Sequence, residues 1–353
     1  MRKIAFVDRD GTLIVEPPVT EQVNSLEEMT FIPRVISSLK KLSDHGYELV
    51  VVTNQDGLGT ESNPTAIYET VNRKMFETFA SEGVVFAAVL CCPHFAADHC
   101  NCRKPKTKLI DDYLNGETID LKRSVVIGDR DSDLAMAEKL GVRGYKLSKD
   151  TGWPEIVKSV LSRTAEYARK TKETDISVMI NLDGEGKCDI DTGLPFFDHM
   201  LEQIGRHGGF DLSIRCNGDL KVDEHHTIED VAIALGTAFK NALGDKKGIE
   251  RYSSARFIVM DEAKCEIAVD LSGRAYPVLD IALNREYVGD FPTEMLPHFF
   301  HSFAIAAQIN IHAVVTGQNT HHQIECLFKA LAKSLRDAVK ITSNMTVSTK
   351  GVL

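Results

Sequence analysis

From residue 1 to about 166, short apolar runs ending in polar residues alternate with amphipathic stretches. The runs are KIAFVD (3–8), YELVVVTN (47–54), FAAVLCC (86–92) and SVVIGD (124–129). Between them lie VISSLKKLSDHG (35–46) and AIYETVNRKMFETFASEG (66–83), whose apolar residues recur at helical spacing. Strands alternating with helices predict a parallel sheet with crossover helices, an α/β domain whose site gathers at the carboxyl ends of the strands. WPEIVKSVLSRTAEYARK (153–170) reads as an amphipathic stretch that closes this unit and leads into a charged join.

The pattern changes after residue 166. Alternating strand patterns, DISVMINLDGEGKCDID (175–191) and FDLSIRC (210–216), lead to a helix that begins at HHTIEDVAIALG (225–236). The order then recurs: strands in RFIVMDEAKCEIAVDLSGRAY (256–276), a helix in PHFFHSFAIAAQ (297–308), a strand in INIHAVVTG (309–317) and a helix from HHQIE (321–325). Setting DHML (198–201) on PHFF (297–300) brings His225 and His226 opposite His321 and His322 with a three-residue gap. The reading is an α+β domain, 167–353, built from two duplicated sheet-plus-helix halves, about 167–256 and 257–345.

Composition narrows the function. The chain has 353 residues, 43% hydrophobic and 26% charged, as expected of a globular protein with more than one core. Its formal charge of −10 argues against a nucleic-acid partner, which favours basic surfaces. No apolar run approaches the ~18–20 residues that span a bilayer, and the first residues lack a secretory segment. Of eight cysteines, Cys91, Cys92, Cys100 and Cys102 crowd into one loop and the rest are scattered. That spacing predicts a metal loop in a reducing, cytoplasmic setting rather than a disulfide framework.

Three groups of residues carry chemistry. Asp8 and Asp10, in FVDRDGTL (6–13), lie at the end of the first strand, where period two would point both carboxylates to one side and let them share a divalent cation. A carboxylate attacks phosphorus competently once a metal screens the phosphate. Thr53 and Asn54 end the second strand with a hydroxyl and an amide, Lys104 supplies a point charge, and Asp129 ends a further strand. Cys92, His94, Cys100 and Cys102 form C-x-H-x5-C-x-C, three thiolates and an imidazole suited to tetrahedral zinc.

The third group is histidine-rich. On a helix both His225 and His226 share a face with Glu229, and His321 and His322 stand at the same offsets from Glu325, but adjacent histidines diverge by ~100° and so can each serve a different metal. With His199 and His298, one from each half, His226 and His322 complete six imidazoles for two carboxylates. The simplest division is two metals, each with three histidines and one glutamate. A nitrogen and oxygen set of this kind suits Mn²⁺, Fe²⁺ or Zn²⁺.

The first set of residues resembles the haloacid-dehalogenase phosphatases across the whole first domain, and the cysteine loop resembles their histidinol-phosphate phosphatase branch. The resemblance implies that Asp8 is the phosphorylated nucleophile and Asp10 the general acid/base. It further implies that Asp8, Asp10 and Asp129 hold Mg²⁺ and that Lys104 holds the phosphoaspartate. TKETDISVMINLDGEG (171–186), FFDHMLEQIGRHGGFD (196–211), GDLKVDEHHTIEDVAIALG (218–236), DLSGRAY (270–276) and STKGVL (348–353) resemble imidazoleglycerol-phosphate dehydratase. That likeness implies two manganese ions per site, Glu173 as general acid/base, and a pocket lined by Gln203. It also implies phosphate binding by Arg251, Arg274, Lys329, Ser348, Thr349 and Lys350, with trimers assembled into a 24-subunit shell through this domain. Pro195 departs from the glycine often found at its position, stiffening that loop without touching a ligand. Together the two halves resemble the bifunctional histidine-biosynthesis enzymes of bacteria, acting on small phosphorylated substrates. A metal-storage scaffold would explain the histidines, but not the phosphatase set.

Overall fold

The computed structural model describes residues 1–18, 22–253, 256–343 and 345–350. The chain divides into two compact units, Met1–Leu161 and Ser162–Leu353.

The first unit is a five-stranded sheet. Its strands are β1 (Ile4–Val7), β2 (Glu48–Asn54), β3 (Phe86–Cys92), β4 (Val125–Gly128) and β5 (Arg143–Lys146). They run parallel in the order β3-β2-β1-β4-β5. Strand side chains alternate, so each strand feeds two cores. Ala5, Val7, Val51 and Ile127 pack beneath α1 (Val35–Asp44), α2 (Thr65–Ser81) and the last helix of the unit. Ile4, Phe6, Val52 and Val126 meet α3 (Lys108–Leu114) and α4 (Asp131–Leu140) on the other face. Apolar residues on both faces are what a parallel sheet covered by helices requires. The strand order reverses beside β1, and there the carboxyl ends of β1 and β4 leave a crevice. The last helix, α5 (Trp153–Leu161), pins the chain after β1: Trp153 is fully buried and its Nε1 donates to the Thr12 carbonyl at 2.9 Å. Burying an aromatic of this size stabilises by about 2–3 kcal/mol.

The boundary expected at 166/167 falls five residues late. The helix stops at Leu161, and Thr164–Lys170 is a strand, β6, of the second unit. TAEYARK alternates at period two: Ala165 and Tyr167 pack on the second core, whereas Glu166 and Lys170 face outward.

The second unit repeats one plan. After β6 come β7 (Thr174–Asn181), β8 (Cys188–Asp191), α6 (Pro195–Gly208), β9 (Asp211–Gly218) and α7 (His225–Leu243). The second half runs β10 (Arg256–Met260), β11 (Ala263–Asp270), β12 (Tyr276–Ile281), a small hairpin β13 (Tyr287–Val288) and β14 (Phe291–Pro292), then α8 (Met295–Ala307), β15 (Asn310–Thr316) and α9 (Thr320–Ala338). The sheets have equivalent orders, β6-β7-β9-β8 and β10-β11-β15-β12, each antiparallel except for its last pair. The duplication is therefore one of topology as well as motif.

The helices exchange partners between halves: α7 packs on α8, and α6 on α9. Gly236 permits the first contact, because a Cβ there would lie 2.6 Å from the Phe303 carbonyl oxygen. One continuous core joins both halves, with Phe197, Phe239, Phe299, Phe303 and Phe328 at its centre.

Candidate active sites and metal centres

At the carboxyl end of β1, Asp8 is buried against Lys104. The Lys104 ammonium lies 2.6 Å from Asp8 Oδ1 and 2.7 Å from Asp133 Oδ1, and donates to the Val52 carbonyl at 2.9 Å. All three of its donors are thus used inside the protein. Its backbone N–H donates to Asn54 Oδ1 at 3.0 Å, which ties the lysine loop to the end of β2. Burial, with Asp133 and Asp10 nearby, pushes the Asp8 carboxyl up to about 7 against the pull of Lys104. Burial likewise raises Asp129.

Oxygen atoms of Asp8, Asp129 and Asp133 all lie within 4.8 Å of one another. Three carboxylates facing one ammonium leave an excess of negative charge that suits a hard divalent cation with oxygen ligands. Asp10, expected to share this cation through its carboxylate, is not among them. β1 ends at Val7, so period two no longer governs position 10, and the Asp10 carboxylate is taken by Arg9 and Gln55, each at 2.5 Å. Asp133 was missed by the strand reading because it lies in the first turn of α4, although GDRDSD carries it in plain view. Gly128 makes its room: a Cβ at that position would fall 2.2 Å from Asp133 Cγ. Thr53 is buried beside this crevice, its hydroxyl accepting from Gln55 Nε2 at 2.9 Å.

The cysteine loop follows β3. Sulfur–sulfur separations among Cys92, Cys100 and Cys102 are 3.6, 3.3 and 3.4 Å, and His94 Nδ1 lies 3.2 Å from Cys102 Sγ. Tetrahedral zinc with Zn–S bonds of ~2.3 Å sets its sulfurs about 3.8 Å apart, so the four side chains already approximate a zinc shell. The loop braces the rim of the crevice, because Arg103 pairs with Asp56 and donates to the His94 carbonyl at 3.2 Å. Phe95 lies over Gly57, where a Cβ would meet its ring at 2.3 Å.

In the second unit the expected histidines form two groups, each drawn from both halves. His199 on α6 meets His321 and Glu325 on α9: Glu325 Oε2 is 3.0 Å from His321 Nε2 and 3.7 Å from His199 Nε2. His298 on α8 meets α7, with its ring 4.9 Å from that of His225, whose Nε2 lies 3.5 Å from Glu229 Oε2. Each group supplies two imidazoles and one carboxylate. Burial opposes ionisation of Glu325, but Lys329 at 2.7 Å and His321 hold its carboxyl below the usual range.

The remaining two histidines turn away, as the helical angle requires. His226 Nδ1 lies 3.1 Å from Asp219 and His322 Nδ1 lies 2.8 Å from Glu262, and each carboxylate raises the affinity of its ring for a proton. A carboxylate on Nδ1 is the usual orienting partner of an imidazole that ligates through Nε2. Asp219 and Glu262 were not read from the sequence, since each lies outside its HHxxE helix.

The other expected residues are placed unevenly. Glu173, in the turn between β6 and β7, has Oε1 3.8 Å from His226 Nε2. Gln203 is buried beside His199, donating to its carbonyl at 3.0 Å. Arg251 holds Asp270 at 2.7 Å and donates to the Val347 carbonyl at 2.7 Å, which draws in the chain just before Ser348. Thr349 and Lys350 are exposed beyond it, and Arg274 sits in a turn whose backbone is bonded to Ser272. The cleft beside His322 is lined by Glu262, Asn284, Arg285 and Asn319, and it includes none of these phosphate-binding candidates.

Comparison with known proteins places two family models on the chain. Imidazoleglycerol-phosphate dehydratase matches residues 192–335, and polynucleotide kinase 3 phosphatase matches residues 3–174. The chain is 48% identical to the histidine biosynthesis bifunctional protein HisB of Campylobacter jejuni, over 100% of this chain and 99% of that protein. It is 47% identical to the protein of the same name from Actinobacillus pleuropneumoniae, over 99% of this chain and 98% of that one. A crystal structure of imidazoleglycerol-phosphate dehydratase from Staphylococcus aureus is 34% identical and covers 51% of this chain and 99% of its own, with a TM-score of 0.46. Among the described residues, no helix is long and apolar enough to cross a membrane.

Proposed function

Since the chain belongs to the HisB family of bifunctional histidine-biosynthesis proteins, and so joins a histidinol-phosphate phosphatase to an imidazoleglycerol-phosphate dehydratase, we propose that residues 1–161 carry the first activity and residues 162–353 the second. The observation that carries this reading is identity of 48% along the entire length, with a separate acidic crevice and histidine groups in the two units.

In the first unit a carboxylate oxygen of Asp8 attacks the phosphorus of L-histidinol phosphate and the bond to the alkoxide oxygen breaks. Asp10 gives that oxygen its proton, releasing L-histidinol. Asp10 then takes a proton from the water that cleaves the aspartyl phosphate, returning Asp8 and inorganic phosphate. Lys104, Thr53 and Asn54 neutralise and orient the phosphoryl oxygens. Asp8, Asp129 and Asp133 would hold Mg²⁺, and the cysteine loop would hold structural zinc.

In the second unit imidazole glycerol phosphate loses water to give imidazole acetol phosphate. Glu173 moves the proton, supported by its position beside His226. Lys329, Arg251, Arg274 and the Ser348–Lys350 segment serve the phosphate, and Gln203 lines the pocket. The two histidine groups would hold Mn²⁺, two ions per site, with the third imidazole of each supplied by His226 or His322 of a neighbouring chain. A bound magnesium would screen the incoming phosphate, and bound manganese would acidify the substrate imidazole. This requires a homo-oligomer, and the likeness to the dehydratase family supports a shell of 24 subunits built from trimers.

Three measurements on one preparation test the assignment: metal content, phosphate release from histidinol phosphate, and dehydration. A phosphorylated oligonucleotide serves as the rival phosphatase substrate, and faster turnover of it would overturn the first half. Two variants probe the first unit. Cys100→Ser should lower zinc by one per chain and slow the phosphatase, read by metal analysis beside kinetics. Gly128→Ala should displace Asp133 and weaken Mg²⁺ activation at least about tenfold, because the added Cβ would lie 2.2 Å from Asp133 Cγ and 2.6 Å from its Cβ, an atom that no change of rotamer moves.

A further inference from the structure

The carboxylate of Asp10 is held from two sides by groups that the phosphatase reading leaves without a role. Arg9 Nη1 lies 2.5 Å from Oδ1, and Gln55 Nε2 donates to Oδ2 at 2.5 Å. Both clamps are themselves fixed. The Arg9 side chain is 2% exposed, donates through Nε to Asn72 Oδ1 at 2.7 Å, and lies 5.2 Å from the centre of the Tyr68 ring. Gln55 is buried, and its backbone N–H donates to the carbonyl of Cys92, one of the zinc-loop thiols, at 2.8 Å.

Surface ion pairs carry little information about function, but a buried guanidinium is costly unless its charge is used. Here it is spent on one carboxylate oxygen. An arginine has no acceptor and keeps its protons, so it cannot receive the proton that Asp10 transfers. Two donors on two different oxygens fix the carboxylate plane. They leave the transferable proton to the lone pairs on the crevice side, where Asp10 is 13% exposed.

We propose that Arg9 and Gln55 are positioning residues that fix the Asp10 carboxylate for proton delivery to the leaving oxygen, with Gln55 suspended from the zinc loop. The proposal rests on the reading of Asp10 as general acid. Through the Gln55–Cys92 bond, the loop reaches the proton donor by a path of two hydrogen bonds and one side chain.

The test compares kcat/KM of the full-length, metal-loaded enzyme on L-histidinol phosphate and on p-nitrophenyl phosphate. That ratio reports the steps up to cleavage of the phosphorus–oxygen bond, so slow release of the aspartyl phosphate does not mask it. An alkoxide needs the proton and nitrophenolate does not. Asp10→Asn should therefore lose on the order of 10³-fold on the first substrate and under about tenfold on the second. Gln55→Leu and Arg9→Met should show the same selectivity on a smaller scale, roughly 10–100-fold against under threefold, and Arg9→Lys should recover part of the loss. Zinc content reports folding of the first unit and the dehydratase rate normalises the amount of intact enzyme, and Gln55→Leu alone decides the matter if Arg9→Met loses its zinc. Equal losses on both substrates, or no loss on histidinol phosphate, would overturn the proposal. Equal losses in Asp10→Asn itself would overturn the acid assignment, and the clamp with it.

Discussion

Asp8→Asn should abolish phosphate release, by on the order of 10⁴-fold or more, and leave dehydration within about twofold of wild type. The substitution keeps the size of the side chain and replaces a carboxylate oxygen, the proposed nucleophile, with an amide nitrogen. Lys104 retains Asp133 and the Val52 carbonyl as partners, so the buried ammonium is not stranded. The strands and helices around Asp8 form two cores of their own, distinct from the one built by residues 176–339. Nothing in that packing gives the second unit a share in the loss. The measurement is both rates on one preparation, with zinc content as a check on the first unit. Substantial phosphatase activity would remove Asp8 from the role of nucleophile. A folded variant with a large loss of dehydration would instead show that the two units do not work independently.

The sequence carried the strand ends well, because apolar runs stopping at Asp8, Asn54 and Asp129 mark where a covered parallel sheet meets water. Reading past a strand end was less safe. The two-residue period that would align Asp10 with Asp8 expires at Val7, and the turn beyond it, with Gly11 at φ +71°, hands Asp10 to Arg9 and Gln55 instead. Asp133 escaped for the complementary reason, since a helix rather than a strand delivers it. The divergence of His225 from His226, and of His321 from His322, was legible because it is a property of any helix. Which histidine joins which glutamate was not. That depends on α6 crossing to α9 and α8 to α7, a long-range choice made by packing such as Gly236 against Phe303. The unit boundary slipped for a local reason. SVLSRTAEYARK contains a helix end and a strand start with no glycine or proline between them, so neither period breaks cleanly.

That exchange of helices also shapes the largest effect expected in the second unit. Glu229→Gln and Glu325→Gln should each cut dehydration at least about a hundredfold, since a bound metal supplies several kcal/mol to such chemistry. The two should differ in their side effects. Glu325 is buried and paired with Lys329 at 2.7 Å, so its replacement leaves an ammonium short of a partner and should also lower stability, by roughly 1–3 kcal/mol. The Glu229 side chain is 37% exposed and, among the described residues, its one ion pair is with His225, which makes it the cleaner test of the proposed ligand role. Assembly should follow the metal. A single chain gathers two imidazoles and one glutamate at each group, while His226 and His322 are turned outward and held by Asp219 and Glu262. If those two imidazoles complete the groups of neighbouring chains, a site does not exist in a free subunit, and metal binding energy is assembly energy. Chelation of wild type should then shift large particles toward smaller oligomers, reversibly on adding Mn²⁺, and both glutamine variants should move in the same direction. Asp129→Asn, confined to the acidic crevice of the first unit, should leave particle size unchanged. Sedimentation of these samples beside metal analysis decides the question: a large particle that survives verified metal removal would show that the metals do not join the subunits.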